Sequence, residues 1–190
     1  PRDLVGGDMW WVDGLADSPD RVRICLFDCT GHGVPGAMLS LVFTNALERT
    51  FAHNPQADSL TAVYGMQSAI AQTFGESDHL INIDQGCDLI FLDIDRNRRE
   101  LHAVFAGLGL MHWAAGQSKV QAYQSPRGGI SVDTDCLRTI EQRKISYQPG
   151  DRILLVTDGI TDQIGDEAPR RALGYRRQIQ QFESTVHCAP

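Results

Sequence analysis

The segment LFDCTGHGVPG, residues 26–36, decides which fold the sequence can adopt. An apolar strand pattern ends at Asp28, and three glycines with the spacing G-x-G-x-x-G follow it. A helix pattern then begins, with Pro35 in its first turn. Two interpretations fit this arrangement. The glycines form a loop that binds a pyrophosphate, or they let the backbone turn sharply beside a functional aspartate.

The rest of the chain lacks the features that accompany a dinucleotide loop. That fold needs a second parallel strand soon after the first helix, with an acidic residue at its end for the ribose. Here the helix pattern of residues 35–54 is followed by a second one at 60–74, and the next strand pattern begins at Cys87. A carboxylate at Asp28 would also repel a bound pyrophosphate. We therefore interpret Asp28 as the functional residue.

Composition excludes several classes of partner. The 190 residues suffice for one domain with its own core, and we expect a single domain over 1–190. The net charge of -7 argues against nucleic acid and anionic lipid as partners. Apolar stretches are shorter than a membrane span, and no signal-peptide pattern opens the sequence. We expect a cytoplasmic domain whose membrane tether, if one exists, lies in segments outside this chain.

The five cysteines are scattered, and none is paired as C-x-x-C. This usage predicts a reducing compartment and no zinc site. A thiol phosphatase loop needs an arginine six positions after its cysteine. Cys29 has Pro35 at that position, and no other cysteine fits. The sequence therefore disfavours a thiol nucleophile.

After Cys87 the hydrophobic period changes from 3.6 to 2. Strand patterns occupy residues 87–94, 100–107, 110–115, 119–123, 139–147 and 152–158. Short turns between them, such as residues 95–98, predict antiparallel neighbours. A last helix is predicted over residues 169–185. The sequence thus predicts an α+β fold with a β-meander beside helices.

Two further aspartates occur in settings similar to that of Asp28. Asp8 follows a glycine pair, and Asp158 follows the apolar strand pattern 153–157 and precedes Gly159. A turn would explain each aspartate alone, but three of them favour a cation site. Oxygen ligands of this kind suit magnesium or manganese rather than zinc.

Three sequence blocks carry a resemblance to a known family. They are VGGD at 5–8, DCTGHGVPGA at 28–37 and TDGITD at 157–162, with weaker blocks at 88–94 and 101–107. In this order they resemble the SpoIIE/RsbU-type branch of the metal-dependent PPM (PP2C-like) serine/threonine phosphatases, including its SiaA-like regulators. The resemblance covers nearly the whole chain, and the block at 28–37 is its most specific part.

The resemblance implies an αββα sandwich of two antiparallel sheets flanked by helices, with two Mn²⁺ or Mg²⁺ ions at one end. Asp28 would bridge both ions, and the backbone carbonyl of Cys29 would also be a ligand. Asp158 would hold one ion. Asp8 would bind the centre directly or through water. The thiol of Cys29 would then be dispensable.

The implied reaction is hydrolysis of phosphoserine or phosphothreonine by a metal-activated water, without a covalent enzyme intermediate. His32 would either protonate the leaving alkoxide or hold the G-H-G loop through a hydrogen bond. The resemblance also implies the substrate class. This would be a small phosphorylated regulatory protein, of the STAS-type anti-sigma-factor-antagonist class, in a partner-switching pathway.

The sequence departs from this family in three places. The late D-D-x-T block is not visible after Thr185, and the chain begins almost at the first block. We therefore expect a piece of a longer protein, incomplete at both ends. Asp162 or Asp166 would replace the missing acidic ligand or serve outside the ligand set. The third departure is AGLGL at 106–110, where the family often has A-G-H-N-P. Arg2 and Arg127 are nominees for a phosphate clamp, with solvated surface as the default interpretation.

Two alternatives belong to other classes. The segment 93–95, DID, is similar to the D-x-D of haloacid-dehalogenase-type phosphatases, but Asn97 stands where Thr or Val is expected. A hairpin turn explains it better. The second alternative is a phosphatase-like regulatory or binding module with impaired catalysis. The missing acidic ligand favours it, and the presence of Asp8, Asp28 and Asp158 argues against it.

Overall fold

The computed structural model describes residues 6–14, 18–31, 33–74, 86–125, 128–161 and 174–188. The chain divides into two compact units, one formed by Pro1–Leu108 and Ser125–Ser146, the other by Gly109–Gln124 and Tyr147–Pro190. The following predicted site residues and candidates lie outside the described residues: Arg2, His32, Arg127, Asp162 and Asp166.

The described residues form nine strands and four α-helices. The strands are β1 (Asp8–Gly14), β2 (Arg21–Cys29), β3 (Gly86–Asp95), β4 (Glu100–Ala106), β5 (Leu110–Trp113), β6 (Gln121–Tyr123), β7 (Ile130–Ser131), β8 (Glu141–Ser146) and β9 (Arg152–Leu155). The helices are α1 (Val34–His53), α2 (Ser59–Phe74), α3 (Asp158–Thr161) and α4 (Gly174–Cys188), with a 3-10 helix at Thr134–Thr139. None of these helices is both long and apolar enough to cross a membrane.

The first unit contains an antiparallel sheet with the strand order β1-β2-β3-β4-β8, and β7 pairs with β3. Residues of β2 alternate between the two faces of this sheet. Cys25, Phe27 and Cys29 are buried in a core that also contains Phe43 of α1 and Met66 of α2. The helices therefore cover one face of the sheet, and the residues between these positions point to the other face.

The two helices of the first unit begin and end where their sequences predict. Pro35 lies in the first turn of α1, and the Asn54 amide donates to the Thr50 carbonyl at its end. The Thr61 amide donates to the carboxylate of Asp58 at 2.8 Å, which caps the start of α2. Both predicted helices of this region are therefore present.

A buried arginine ties the connection between α1 and α2 to the sheet. The Arg23 side chain is 1% exposed, and its guanidinium donates to the carbonyls of Pro55 at 2.7 Å and Ala57 at 3.1 Å. It also pairs with Asp13 at 3.3 Å and lies 4.0 Å from the centre of the Phe51 ring. Burial lowers the pKa of Arg23. Removing the partners of a buried charge is strongly destabilising, so these contacts stabilise the fold.

The segment 93–95 is the end of β3 and the start of a hairpin. Asp93 is buried and accepts a hydrogen bond from Nε of Arg21 at 2.9 Å. This bond raises the pKa of Arg21. The Asp95 carboxylate accepts from the Arg98 amide at 2.9 Å, in the turn that joins β3 to β4. The hairpin interpretation of the D-x-D pattern is therefore confirmed.

The second unit contains a three-stranded antiparallel sheet with the order β6-β5-β9. His112 of β5 is buried, and its Nε2 lies 2.9 Å from Oδ2 of Asp151. The same carboxylate accepts hydrogen bonds from the amides of Ala115 and Gln148. These contacts fix the turn that precedes β9.

The structure confirms the α+β class with two antiparallel sheets but not the simple meander. Only three residues separate β4 from β5, yet these strands belong to different sheets, because the chain turns at Gly107 with φ 94°. β8 then returns to β4, and β9 pairs with β5. Strand β9 ends at Leu155, so Asp158 begins α3 and does not close the strand as predicted.

We expect Arg23→Ala to lower the free energy of unfolding by about 3–5 kcal/mol, because it leaves buried partners unpaired. Urea denaturation of the purified protein measures this loss. The control is Arg98→Ala, whose side chain is 74% exposed, and it should change stability by no more than about 0.5 kcal/mol. Equal small losses in both variants would contradict a structural role for the buried arginine.

We expect Asp151 to contribute to acid sensitivity. Burial opposes its ionisation, but hydrogen bonds from Ala115, Gln148 and His112 outweigh burial and lower the pKa of this carboxyl below 3.8. A carboxyl with a lower pKa in the folded state adds stability above its unfolded pKa and loses it as pH falls through the folded value. Stability should therefore fall below about pH 4, and less steeply in Asp151→Asn. Urea denaturation from pH 6 to pH 3 tests this, and identical slopes would contradict it.

Candidate metal centre

Three aspartates lie in one row across the sheet of the first unit. Asp8 of β1 is directly opposite Asp28 of β2, and Asp28 is directly opposite Asp88 of β3. Residues opposite each other in an antiparallel sheet project from the same face. Because Phe27 and Cys29 point to the helices, the three aspartates lie on the face away from the helices.

Backbone hydrogen bonds show how close the members of this row are. The Cys29 amide donates to the Gly7 carbonyl at 3.2 Å, and the Thr30 amide donates to the Gly86 carbonyl at 2.9 Å. Asp8 and Asp28 therefore form a non-hydrogen-bonded pair, in which side chains are closest. Asp28 and Asp88 form a hydrogen-bonded pair, with a Cα separation of about 5.5 Å.

Like charges at directly opposite positions destabilise a sheet. Two such pairs share Asp28, which is half-buried, whereas Asp8 and Asp88 are exposed. A bound divalent cation would be the dominant local charge and would turn this repulsion into attraction. The row therefore has the electrostatic character of a cation site.

Because residue 7 is glycine, its backbone can lie close to two carbonyl oxygens beside this row. A Cβ atom there would overlap the carbonyl oxygen of Cys29 and lie 3.2 Å from that of Gly31. The available donors are thus carboxylate and carbonyl oxygens, the ligands of magnesium and manganese. The residues present fit such an ion. The thiol of Cys29 is buried on the helix side, so only its carbonyl belongs to this donor set.

Two hydroxyl groups that the sequence analysis missed fix the backbone around the aspartates. Ser40 of α1 donates to the Gly7 carbonyl at 2.7 Å. Thr30 donates to the Gly86 carbonyl at 2.9 Å and accepts from the Gly86 amide at 3.0 Å. Ser40 is a fully buried polar residue within an apolar helix face, which is the signal that could have identified it.

The cysteines on the helix side do not form a reactive site with the aspartates. Cys29 and Cys87 are directly opposite each other, and both are buried. A hydrogen bond from Cys87 lowers the pKa of Cys29, and burial raises the pKa of Cys87. Their side chains lie on the opposite face of the sheet from Asp28.

The structure brings together part of the predicted ligand set. Asp8, Asp28 and the Cys29 carbonyl meet at one end of the first sheet, and Asp158 belongs to the second unit. Within the described ranges, no three carboxylate, imidazole or thiol groups converge as a preformed metal cluster. Asp88 was not predicted as a site residue. Its signal in the sequence is a charge at the start of an apolar strand.

A hollow of about 520 Å³ lies at the other end of the same sheet. Arg21, Ser59, Asp93 and His102 are among the residues that line it. Arg21 and Asp28 stand at opposite ends of β2, so this hollow is separate from the aspartate row. Its charged groups include the ion pair of Arg21 with Asp93 described above.

The sequence profile of the family "Stage II sporulation protein E (SpoIIE)" matches residues 18–188. The chain belongs to the SpoIIE family. The match includes the G-H-G loop and the block at 157–162, and it confirms the family that those residues resemble. SpoIIE-type domains are PP2C-like phosphatase domains, and this family is metal-dependent, typically with Mg²⁺ or Mn²⁺.

Solved structures of SpoIIE-type domains share the fold. The SiaA PP2C domain of Pseudomonas aeruginosa is 26% identical, with a TM-score of 0.80 over 96% of this chain and 68% of that one. The RsbU and RsbW domains of a Mycobacterium tuberculosis protein are 19% identical, with a TM-score of 0.73 over 98% and 48%. The PP2C phosphatase domain of Bacillus subtilis SpoIIE with a regulatory fragment is 17% identical, with a TM-score of 0.62 over 84% and 43%.

The present chain therefore spans less than half of the last two structures. No curated protein sequence matches it. The likeness to these structures supports a PP2C-like α+β fold, which agrees with the predicted fold class.

We expect Asp28→Asn to stabilise the metal-free protein and to abolish stabilisation by Mn²⁺. Removing the central charge relieves two repulsive pairs, worth roughly 0.2–1 kcal/mol each. For a chain of this size, each kcal/mol raises the melting temperature by about 2–4 °C. Thermal melts in EDTA and in Mn²⁺ measure both effects.

The control for these melts is Asp95→Asn, which changes an aspartate at the far end of β3. It should keep the wild-type response to Mn²⁺. A normal Mn²⁺ response in Asp28→Asn would contradict the assignment of the aspartate row to a metal.

Proposed function

We propose that this chain is the phosphatase domain of a metal-dependent protein serine/threonine phosphatase. The observation that carries the proposal is the register that sets Asp8 opposite Asp28, next to the Cys29 carbonyl and before the G-H-G loop. Membership of the SpoIIE family supports the reaction class. We propose that the chain is catalytically active.

Asp8, Asp28 and the Cys29 carbonyl would hold the Mn²⁺ or Mg²⁺ ions, and the motif at 157–162 adds Asp158 to this set. When bound, two such ions lower the pKa of a shared water and stabilise the oxygens of an in-line displacement at phosphorus. The family resemblance gives Asp28 the role of a ligand to both ions, and Asp28 would share the site with Asp8, which is opposite it. The backbone bonds of Ser40 and Thr30 keep the donor oxygens in place before an ion binds.

His32 remains the proposed proton donor to the leaving alkoxide of the phosphorylated side chain. This role rests on the position of His32 in the G-H-G loop. Its alternative role is to hold that loop by a hydrogen bond. A pH profile of turnover for His32→Gln separates the two, since only a proton donor contributes its own limb to the profile.

The proposed substrate is a small phosphorylated regulatory protein of the anti-sigma-factor-antagonist (STAS) type. Related folds occur in the RsbU and RsbW domains of a Mycobacterium tuberculosis protein and in a structure from work on the bacterial stressosome, which supports a protein partner in signalling. The net charge of -7 repels a phosphoprotein at long range. Attraction to the phosphate must therefore be local, and the metal ions supply it.

A second candidate function is a phosphatase-like binding module with impaired catalysis. The observation that favours it is the lack of a preformed ligand cluster within the described segments. Such a module would still bind a phosphorylated partner through its fold but would release no phosphate. Metal-dependent turnover discriminates between the two functions.

The test is hydrolysis of p-nitrophenyl phosphate and of a phosphoserine peptide in EDTA, Mg²⁺ or Mn²⁺. We expect turnover that EDTA abolishes and that Mn²⁺ or Mg²⁺ restores. Asp28→Ala should lower it by on the order of a hundredfold or more, because it removes a metal ligand. Asp95→Ala, an aspartate variant at the far end of β3, should retain wild-type turnover.

Turnover that persists in EDTA, or that survives in Asp28→Ala, would contradict the metal-dependent mechanism. Stabilisation by Mn²⁺ without any turnover would instead support the binding module.

A further inference from the structure

We infer that Asp88 is a positioning residue of this site, whose carboxylate holds the turn at Gly107 beside the aspartates assigned to the metal ions. The expected effect of Asp88 on turnover rests on the proposed function. Its effect on the turn at Gly107 follows from the contacts of Asp88 and does not depend on that function. Asp88 lies between the two features that it connects, with Asp28 opposite it on β2 and Gly107 on the side of β4.

The carboxylate of Asp88 packs directly against the backbone of Gly107. A Cβ atom at Gly107 would overlap Cγ and Oδ1 of Asp88 and would lie 2.7 Å from its Cβ. The space that any other side chain would need at position 107 is therefore filled by this carboxylate. Gly107 also has a φ of 94°, which L-residues with a Cβ rarely adopt. Both constraints require glycine there.

A second glycine contacts the carboxylate of Asp88 from the other side. A Cβ atom at Gly129 would lie 2.5 Å from Oδ1 of Asp88 and would overlap the Cys87 carbonyl. Asp88 is thus held between the two backbone segments at Gly107 and Gly129. Although Asp88 is exposed to solvent, contact with both segments restricts its rotamers, so its carboxylate acts as a spacer between them.

Two other contacts define the turn that Asp88 supports. The Gly107 amide donates to the hydroxyl of Ser125 at 2.8 Å, and Gly107 forms a β-bridge with Leu89, the residue after Asp88. The turn is therefore anchored to the start of β3 at the height of the aspartate row. Its position relative to Asp28 is set by the strand that carries Asp88.

The turn belongs to the segment AGLGL, residues 106–110. Positions 108 and 109 are Leu and Gly here, so this segment has no polar side chain of its own. Asp88 supplies a polar group that reaches the turn from the neighbouring strand. Asp88 thus holds the turn at Gly107 in place beside the aspartate row.

The contacts favour a positioning role over a ligand role. The carboxylate contacts the backbone of two glycines, Gly107 and Gly129, and the described residues contain no metal-type cluster that includes it. An asparagine has the same shape as aspartate and one of its acceptor oxygens. A positioning role is therefore rescued by Asp88→Asn, whereas a metal ligand role is not.

The experiment compares wild type, Asp88→Ala and Asp88→Asn, with Asp95→Ala as the matched control. Asp95 lies on the same strand and also supports a turn, but at the far end from the aspartate row. Three quantities are measured: hydrogen exchange of the Gly107 amide, stabilisation by Mn²⁺ in thermal melts, and kcat/KM for a phosphoserine peptide.

In Asp88→Ala we expect the Gly107 amide to exchange roughly tenfold faster, because the local opening free energy falls. We expect kcat/KM to fall by roughly tenfold to a hundredfold, as misplaced active-site groups do. The response to Mn²⁺ should stay within about twofold of wild type. Asp88→Asn should keep the wild-type exchange rate at Gly107 and most of the wild-type turnover. Asp95→Ala should leave all three quantities unchanged.

Three results would overturn the inference. They are unchanged exchange at Gly107 in Asp88→Ala, unchanged kcat/KM despite faster exchange, or a loss of the Mn²⁺ response in both Asp88 variants. The last result would make Asp88 a metal ligand. If the wild-type protein hydrolyses no phosphoester, the proposed function fails on its own, and the exchange of Gly107 still decides whether Asp88 holds the turn.

Discussion

Residues 22–28 of β2 are each paired with one residue of β1 and one of β3, and this register determines both faces of the sheet at once. On one face it aligns the apolar side chains that pack on α1 and α2. On the other it aligns Asp8, Asp28 and Asp88. The charge repulsion in this row is tolerable only because the packing on the opposite face holds the strands together. The pairing of β2 with its neighbours thus determines both the packing of the core and the position of the aspartate row.

The two ends of this sheet differ in how their charged side chains are arranged. At one end, Arg21 and Arg23 compensate Asp93 within the protein. At the other, carboxylates face one another across adjacent strands, near the carbonyl oxygens of Cys29 and Gly31. A protein that needs only to fold has no reason for the second arrangement. The difference between the ends is the structural basis for assigning metal chemistry to one of them.

The sequence predicted much of this, and the failures have physical causes. Helices α1 and α2 and strands β2, β3 and β4 follow from strong periodicity and from turn residues. The assignment of β4 and β5 to different sheets did not, because a three-residue connection predicts a hairpin unless the turn at Gly107 is known. Asp88 was missed for a related reason. Its place opposite Asp28 depends on strand register, which is a long-range property. Asp8 and Asp28 lie close to glycines in the sequence, so a local pattern identifies them.

The seven-residue strand β1 has one further consequence. Side chains alternate along a strand, so sliding β1 by a single residue against β2 would turn Asp8 toward the helices and Trp11 away from them. Trp11 stacks on Phe51 at 5.3 Å and donates to Glu48, so the misaligned pairing would forfeit an aromatic contact and bury a carboxylate in exchange. The indole of Trp11 thus fixes the alignment of the strand that carries Asp8, from the opposite face of the sheet.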